Sequence, residues 1–171
     1  MAELDGRVVL VVGASGGLGS RLVAELAAAG ATVLSASRSS SASFDLRDPQ
    51  SIRDCVGALT ALDGVIVAAG VVAFGPAEQV SDTVLAELFE TNALGPITLI
   101  RELTPLLAES AAAGRTPFIV TLSGIVAESP TAGLAAYSAS KSALAAFVSA
   151  ASRELRRTGI RVLDARPGHT E

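Results

Sequence analysis

One tyrosine and one lysine in this sequence are spaced so that they could move a proton together. Tyr137 and Lys141 lie four residues apart in the segment YSASK, and on an α-helix this spacing places both side chains on the same face. A free tyrosine has a pKa of about 10, so its phenol exchanges a proton readily at neutral pH only when the phenolate is stabilised. The ammonium of Lys141 can supply that stabilisation. The pair predicts general acid–base chemistry; the competing interpretation is an ordinary pair on a helix surface.

A glycine-rich turn near the N-terminus could bind a phosphate group. The segment VVGASGGLGSRL follows an apolar run and begins a helical pattern; Gly13, Gly17 and Gly19 fit G-x-x-x-G-x-G, while Gly13, Gly16 and Gly19 fit G-x-x-G-x-x-G. Both patterns permit a tight turn, close approach of the backbone to a diphosphate, and helix N–H groups that point at the anion. The turn predicts a nucleotide site, against the alternative of a merely permissive link between strand and helix.

The end of the second apolar run distinguishes between two cofactors. A carboxylate there would accept hydrogen bonds from a ribose 2′-hydroxyl, whereas an arginine would contact a 2′-phosphate. Here the run ends in SASRSS, which contains Arg38 and no carboxylate. We therefore expect NADP(H) rather than NAD(H), the alternative being that Arg38 is only a solvated surface charge.

Apolar runs that alternate with helical patterns must position these residues. Strands are predicted at 7–12, 32–37, 42–45, 63–70, 117–123 and 160–165. Helices are predicted at 17–29, 49–60, 81–112 and 134–157, with a bend at Gly95-Pro96. Strands separated by helices imply βαβ units, so we predict a doubly wound α/β fold, a Rossmann-like parallel sheet with helices on both faces. In such a sheet ligands bind at the carboxyl ends of the strands, where the motifs lie.

Length, composition and charge narrow the class of protein. The 171 residues predict a single domain, 1–171, and a composition that is 50% hydrophobic and 18% charged argues against disorder. The net charge of −4, without a basic block, gives no indication of nucleic-acid binding. The most apolar window contains Lys141, which argues against a membrane span, and the acidic N-terminus is unlike an export signal, so a cytoplasmic protein is predicted. Cys55 and His169 are single, which excludes an intrachain disulfide and a three-histidine metal site; no metal is expected.

Six motifs in register resemble the short-chain dehydrogenase/reductase family. They are the glycine turn, FDLRD, AAG, TNALGP, YSASK and RPGHT. The resemblance spans almost the whole chain, and the spacing from the glycine turn to the tyrosine matches the single-domain branch of the family. The resemblance implies a set of cofactor-binding residues: Gly13, Ser15, Gly17, Leu18, Gly19, Arg38, Asp45, Leu46, Ala69, Gly70, Lys141, Pro167, Gly168 and Thr170.

The resemblance also implies roles for individual side chains. Tyr137 would be the acid/base, and Lys141 would in addition hold the ribose hydroxyls of the nicotinamide nucleotide. Asn92 would support a kink in its helix and a water that relays protons to the lysine; the alternative is an asparagine that is satisfied locally. Asp45 would lie near the adenine, and Thr170 would contact the nicotinamide carboxamide.

The main departure from the family concerns the serine that orients the substrate oxygen. This serine usually lies thirteen residues before the tyrosine, where the present sequence has Gly124, and Ser123 lies fourteen before it. A slip of one residue at a strand end turns a side chain to the other face. Either a bulge at the glycine lets Ser123 serve, or the serine function is absent. We include Ser123 among the predicted catalytic residues.

Two further departures concern the turn at Ala68–Gly70 and the end of the sequence. The turn lacks the asparagine of the family, and the sequence stops at Glu171, where family members usually continue through a substrate loop, a helix and a seventh strand. We therefore expect the C-terminal part of the family fold to be missing. The predicted long helices at 81–112 and 134–157 have apolar faces, and in the family such helices pair across a two-fold axis. The resemblance therefore implies a homodimer or homotetramer; the alternative is that both faces belong to the core.

The motifs together predict an NADP(H)-dependent oxidoreductase that acts on a small carbonyl/alcohol substrate. The first alternative is a non-catalytic dinucleotide-binding or scaffold protein of the same fold, which the glycine at position 124 favours. The second is an epimerase or dehydratase of the longer branch of the family. The intact pair of Tyr137 and Lys141 favours the enzyme, because a protein that only binds nucleotide does not need both residues. Neither the substrate nor the direction of reaction is indicated by the sequence.

Overall fold

Parallel strands form the centre of the molecule. The computed structural model describes residues 4–38 and 44–168, and its strands are β1 (Val8–Val12), β2 (Thr32–Ala36), β3 (Gly64–Val67), β4 (Phe118–Leu122) and β5 (Arg161–Ala165). Their order in the sheet is β2-β1-β3-β4-β5, and every neighbouring pair is parallel. The winding direction reverses between β1 and β3, which is where a doubly wound sheet opens a crevice at its carboxyl edge.

Helices cover both faces of this sheet. They are α1 (Gly17–Ala28), α2 (Pro49–Gly57), α3 (Asp82–Phe89), α4 (Gly95–Ala112) and α5 (Ala135–Leu155). Alternate residues of β1 point to opposite faces: Leu10 and Val12 pack with buried side chains of α2, α4 and α5, whereas Val9 and Val11 pack with Leu26 of α1. The predicted doubly wound α/β fold is therefore confirmed. Within the described ranges, none of the helices has the length and apolar character that a membrane crossing requires.

The strand predicted at 42–45 is not formed where the structure describes it. Residues 42–43 lie outside the described ranges, and Phe44 and Asp45 belong to no strand. Instead, the ring of Phe44 is buried in the larger core, and the Asp45 carboxylate accepts hydrogen bonds from Arg47. For Phe44 and Asp45 the prediction was wrong, because a buried aromatic ring and a local ion pair hold these two residues without a strand ladder.

The predicted helix at 81–112 is interrupted before the expected bend. α3 ends at Phe89, and a π-helical turn, Glu90–Leu94, joins it to α4. The N–H of Gly95 donates to the carbonyl of Glu90, five residues back, and Pro96 has no N–H to donate to the carbonyl of Asn92. The α-helical pattern therefore fails over this turn, a feature that often marks functional sites. Asn92 lies on the turn with its side chain fully buried.

A buried carboxylate holds the opposite, amino-terminal edge of the sheet. Asp63 accepts hydrogen bonds from the N–H of Val8 at 2.9 Å, from the hydroxyl of Ser110 at 2.7 Å and from the guanidinium of Arg115. Burial by itself would raise the pKa of Asp63, but the hydrogen bonds from Arg115, Ser110 and Val8 together hold it below its usual value. This carboxylate ties β1, β3 and α4 together at the end of the sheet away from the predicted motifs.

Candidate active site

The carboxyl ends of the strands line a cleft in two halves. The half at β2 has a volume of about 200 Å³ and the half at α5 about 350 Å³, and the loop 68–71 after β3 lines both. Most predicted site residues line this cleft: Gly13, Ser15, Leu18, Arg38, Asp45, Leu46, Ala69, Gly70, Ser123, Tyr137, Lys141, Pro167 and Gly168. Gly17 is exposed beside the cleft without lining it, Gly19 and Asn92 are buried and do not line it, and Thr170 lies outside the described residues.

The positions in the turn after β1 differ in why they hold glycine rather than a residue with a side chain. Gly13 has a φ of +84°, and a Cβ there would lie 2.6 Å from the backbone nitrogen of Ala69. A Cβ on Gly19 would lie 2.0 Å from the carbonyl oxygen of Gly13, so both glycines are required by contacts within the chain. A Cβ on Gly17 would meet nothing within 4 Å. Gly17 therefore begins α1 with an open surface, on a helix that has no acidic residue in its first turn.

An ion pair lies at the β2 end of the cleft. Asp45 accepts hydrogen bonds from Arg47 at 2.7 and 3.1 Å, and these bonds hold the pKa of Asp45 below its usual value, with smaller contributions that include the charge of Arg38. Arg38 is exposed directly after β2. Sequence reasoning missed Arg47 at this end of the cleft, although it is the fourth residue of the motif FDLRD.

Tyr137 and Lys141 face the cleft from the first half of α5. The Nζ of Lys141 lies 5.9 Å from the centre of the Tyr137 ring and donates a hydrogen bond of 2.8 Å to the carbonyl oxygen of Leu122 at the end of β4. It would also lie 3.1 Å from a Cβ on Gly70, so a glycine at that position leaves room for the ammonium. Lys141 is only 5% exposed. The chain has no other lysine and no other tyrosine.

Burial moves the pKa values of this pair away from the expected direction. The sequence predicts that Lys141 lowers the pKa of Tyr137, but burial raises it above 10.0. Burial lowers the pKa of Lys141 from 10.5 to about 8, against an opposing effect of the Asp164 charge. The expected lowering is therefore wrong for the ligand-free protein, because the ammonium bonds to Leu122 and desolvation dominates. At neutral pH the structure holds a protonated phenol beside a protonated amine.

The single tyrosine allows this direction to be measured. Because the chain has one tyrosine and no tryptophan, the near-ultraviolet absorbance of phenolate in a pH titration reports Tyr137 alone. We expect a midpoint above that of a tyrosine model peptide, since burial disfavours the phenolate. The same titration of urea-unfolded protein serves as the control and should return the ordinary value. A midpoint at or below the unfolded one would mean that Lys141, not desolvation, controls the phenol.

Asn92 holds the loop that follows β3. Its Oδ1 accepts from the N–H of Val71 at 2.9 Å, and its Nδ2 donates to the carbonyl of Val71 at 2.8 Å and to the hydroxyl of Ser140 at 3.0 Å. The side chain is thus engaged on both its oxygen and its nitrogen. The predicted proton relay through Asn92 stays a prediction. What the structure shows is a pair of hydrogen bonds from the Asn92 side chain to the N–H and the carbonyl of Val71.

The hydroxyl of Ser123 is engaged by a carboxylate of the neighbouring strand. It donates a 2.6 Å hydrogen bond to Oδ2 of Asp164 on β5, and the Ser123 side chain is fully buried. The next residue, Gly124, has a φ of +78°, and the N–H of Ile125 then donates to the carbonyl of Pro167. The glycine therefore turns the chain onto the loop after β5. That Ser123 orients a substrate oxygen stays a prediction, since in this structure its only proton is held by Asp164.

Sequence reasoning missed two polar residues, Asp164 and the fully buried Ser140, that do not line the cleft but bond to residues near it. Ser140 accepts from Asn92 and donates to the carbonyl of Tyr137 at 2.8 Å, and it stands inside the motif YSASK. Asp164 accepts hydrogen bonds from Thr121 and Ser123. The signal for Asp164 was available, because it is a carboxylate between Leu163 and Ala165 in the predicted strand IRVLDA.

Comparison with known proteins adds a family assignment to this geometry. Residues 37–171 match the short chain dehydrogenase family. Over 99% of its length the chain is 31% identical to the ketoacyl reductase HetN of Nostoc sp., and it spans 65% of the length of that relative.

Solved structures match the fold over nearly the whole chain. A short-chain dehydrogenase from Streptomyces avermitilis is 28% identical with a TM-score of 0.89, and the match covers 98% of this chain and 67% of the other. A 3-ketoacyl-(acyl-carrier-protein) reductase from Brucella melitensis, solved with NADH, is 24% identical with a TM-score of 0.90, covering 96% of this chain and 76% of the other. At this level of identity, the similarity to the Brucella melitensis reductase shows only that the two chains share a fold.

Proposed function

Because the chain belongs to the short-chain dehydrogenase/reductase family, a family of oxidoreductases, we propose that it interconverts a small carbonyl compound and its alcohol with NADP(H). The observation that carries this proposal is the placement of Tyr137 and Lys141 in one cleft with the glycine turn and Arg38. The ketoacyl reductase relative supports a carbonyl substrate. A protein that only bound nucleotide would not need an acid/base pair at the far end of the cleft.

The residues around the cleft fit a dinucleotide. The start of α1 is open at Gly17 and carries no acidic side chain in its first turn, which suits a diphosphate. Arg38 stands at the end of β2, where a ribose 2′-phosphate would be met. At the other end, the described residues accept one hydrogen bond from the three donors of Lys141, which leaves donors for ribose hydroxyls. The nicotinamide, when bound, would supply or accept the hydride.

The residues of this chain would handle the proton. Burial keeps Tyr137 protonated at neutral pH, so its phenol can donate to a substrate oxygen on which charge develops during reduction. As Tyr137 loses its proton, the ammonium of Lys141 on the same helix face stabilises the phenolate. General acid–base catalysis of this kind contributes about 10²–10⁴-fold in rate. In the reverse direction the same phenol oxygen would accept the proton of the alcohol.

Asn92 and Ser123 contribute differently to the proposal. Asn92 fixes the Val71 backbone beside the cleft, and we retain the relay of protons towards Lys141 as its proposed second role. For Ser123 the bond to Asp164 favours the alternative in which the serine function of the family is absent. Assembly into a homodimer or homotetramer and a cytoplasmic location are further proposals that rest on the sequence.

Replacing Arg38 by alanine is expected to weaken NADPH binding selectively. Loss of a charge-assisted contact with the 2′-phosphate should raise the Kd for NADPH about tenfold and leave the Kd for NADH unchanged. Fluorescence titration of the nicotinamide measures both constants. Arg53→Ala is the matched control, because Arg53 is an exposed arginine on α2 outside the cleft. Equal loss of affinity for both nucleotides in Arg38→Ala would assign Arg38 to general binding and remove the basis for NADP(H) preference.

The whole proposal is tested by titrating the 171-residue chain with NADPH and NADH and then adding a panel of aldehydes, ketones and acyl thioesters. Binding with turnover supports the reductase. Binding without turnover supports the non-catalytic alternative, unless a chain extended past Glu171 is active. Absence of binding to either nucleotide would overturn the cofactor assignment.

A further inference from the structure

The carboxylate of Asp164 joins the ends of β4 and β5 beneath the cleft. Its Oδ1 accepts from the hydroxyl of Thr121 at 2.9 Å and from the N–H of Ser123 at 3.2 Å, and its Oδ2 accepts from the hydroxyl of Ser123 at 2.6 Å and from Nε of Arg166 at 2.9 Å. These groups form what we call the Asp164 clamp: Thr121, Ser123, Asp164 and Arg166. One carboxylate thus receives four hydrogen bonds, three of them from β4 or the residue after it.

The clamp grips β4 on both sides of the residue that holds Lys141. Thr121 is paired with Asp164 in the parallel ladder, and Ser123 follows two residues later on the same face. Leu122 lies between them, and its carbonyl accepts the 2.8 Å hydrogen bond from Nζ of Lys141. With its two neighbours fixed to one carboxylate, the peptide that presents this carbonyl has little freedom to rotate.

We propose that Asp164 is a positioning residue, which fixes the Leu122 carbonyl through Thr121 and Ser123 and so sets the place and the charge of the Lys141 ammonium. This inference deepens the proposed function, on which it rests for its consequence in catalysis. It gives Ser123 a role that its buried hydroxyl can perform without leaving Asp164. It also explains why a carboxylate stands between Leu163 and Ala165 in β5.

Charge acts in the same direction as the geometry. Burial would raise the pKa of Asp164, but hydrogen bonds from Ser123, Arg166 and Thr121 hold it below its usual value, so the carboxylate is ionised at neutral pH. Its charge opposes the loss of the proton that burial imposes on Lys141. Of the other groups around the ammonium, Tyr137 is neutral at this pH, and Leu122 and Asn92 cannot be charged. Among the described residues, Asp164 is therefore the anion that raises the pKa of Lys141.

The clamp also extends to the surface of the cleft. Arg166 bonds to Asp164 and, with its other nitrogen, to Glu128 after the 3₁₀ turn Ile125–Ala127. Because the N–H of Ile125 donates to the carbonyl of Pro167 at 3.0 Å, the loops after β4 and β5 are joined twice. The segment that carries Pro167 past the cleft is thus held by the same carboxylate.

The sole lysine makes the proposal measurable without turnover. Protein that contains isotope-labelled lysine gives one side-chain signal, and its pH titration by NMR in the ligand-free state follows Lys141 alone. In Asp164→Asn, the shape is kept and the charge is lost, so the titration midpoint should move to lower pH. At neutral pH a smaller fraction of Lys141 would then be protonated. Among active preparations, the alkaline limb of the kcat/KM profile should shift to lower pH as well, because activity that needs the protonated Lys141 is lost as the pH rises through its pKa.

A matched buried carboxylate separates positioning from general support of the fold. Asp63→Asn removes another carboxylate that accepts several hydrogen bonds and is only 2% exposed, at the opposite edge of the sheet. It should lower the unfolding temperature and leave the Lys141 midpoint unchanged. An unchanged midpoint in Asp164→Asn would overturn the proposal. Because this readout needs no nucleotide, failure of the proposed function would leave it standing.

A second variant decides the matter if Asp164→Asn does not fold. Thr121→Val combined with Ser123→Ala keeps the carboxylate but removes two of the hydroxyl donors that fix β4. The two ε-protons of a Lys141 side chain held by Leu122 have separate chemical shifts, and we expect this separation to shrink when the carbonyl is released. Separate shifts that are the same as in the parent protein would show that Leu122 is positioned without the clamp.

Discussion

Replacing Tyr137 by phenylalanine is expected to lower kcat about 10²–10⁴-fold, while the Kd for NADPH changes little. Phenylalanine keeps the ring, which is half-buried on α5, and removes only the hydroxyl that would protonate the substrate oxygen. Since the loss concerns a contact made in the transition state, kcat and kcat/KM should fall together. Steady-state kinetics and nicotinamide fluorescence measure the two effects separately.

The residue that follows Tyr137 supplies the control. The hydroxyl of Ser138 is buried on the same helix and has no hydrogen-bond partner among the described residues, so Ser138→Ala should leave kcat unchanged. Unreduced turnover in Tyr137→Phe would remove tyrosine from the mechanism and with it the acid/base assignment. A Kd for NADPH that rose as much as kcat fell would instead place the phenol in nucleotide binding.

Replacing Gly19 by alanine is expected to destabilise the fold and to abolish nucleotide binding. The new methyl would lie 2.0 Å from the carbonyl oxygen of Gly13, which belongs to rigid backbone. The turn must therefore move, and overpacking of this kind costs about 3 kcal/mol of unfolding free energy. Urea unfolding followed by circular dichroism measures the stability, and fluorescence titration measures the binding.

Gly17 provides a matched variant in the same turn. A methyl on Gly17 meets nothing within 4 Å, and alanine is favoured over glycine in a helix by roughly 0.5–1 kcal/mol. Gly17→Ala should thus keep or raise the stability of the ligand-free protein, yet weaken nucleotide binding because the methyl occupies the approach of the diphosphate. Equal stability of Gly19→Ala and the parent chain would contradict the packing account. Unimpaired binding in Gly17→Ala would place the diphosphate elsewhere.

The fold could be predicted from sequence where burial dominates. β1 and β3 are continuous apolar runs, and such runs in parallel sheets are buried on both faces. The segment at 42–45 has the composition of a strand, but its outcome depends on the burial of Phe44 and the ion pair of Asp45, which are tertiary contacts. Likewise, Pro96 predicted an irregularity in the helix, but it did not predict that the irregularity is a π-helical turn at Glu90–Leu94.

The sequence predicted which residues belong to the site better than it predicted their hydrogen bonds. The motif spacing brings Tyr137 and Lys141 to the cleft, because helix geometry and strand ends are regular. The partner of Ser123 could not be foreseen, since Asp164 lies 41 residues later and meets it only through the pairing of β4 with β5. The direction of the Tyr137 pKa also depended on burial, which no motif encodes.

The single lysine means that fixed and titratable positive charges are carried by different residue types in this protein. Every other permanently basic side chain in the sequence is an arginine, and a guanidinium keeps its charge at any pH that proteins experience. Arginine therefore supplies the fixed charges, as in the pairs with Asp63 and with Glu128. The one side-chain amine that can release its proton within a biological range stands buried at the cleft. A reagent that modifies lysine side chains would consequently have one target in this chain, Lys141, which lies in the candidate active site.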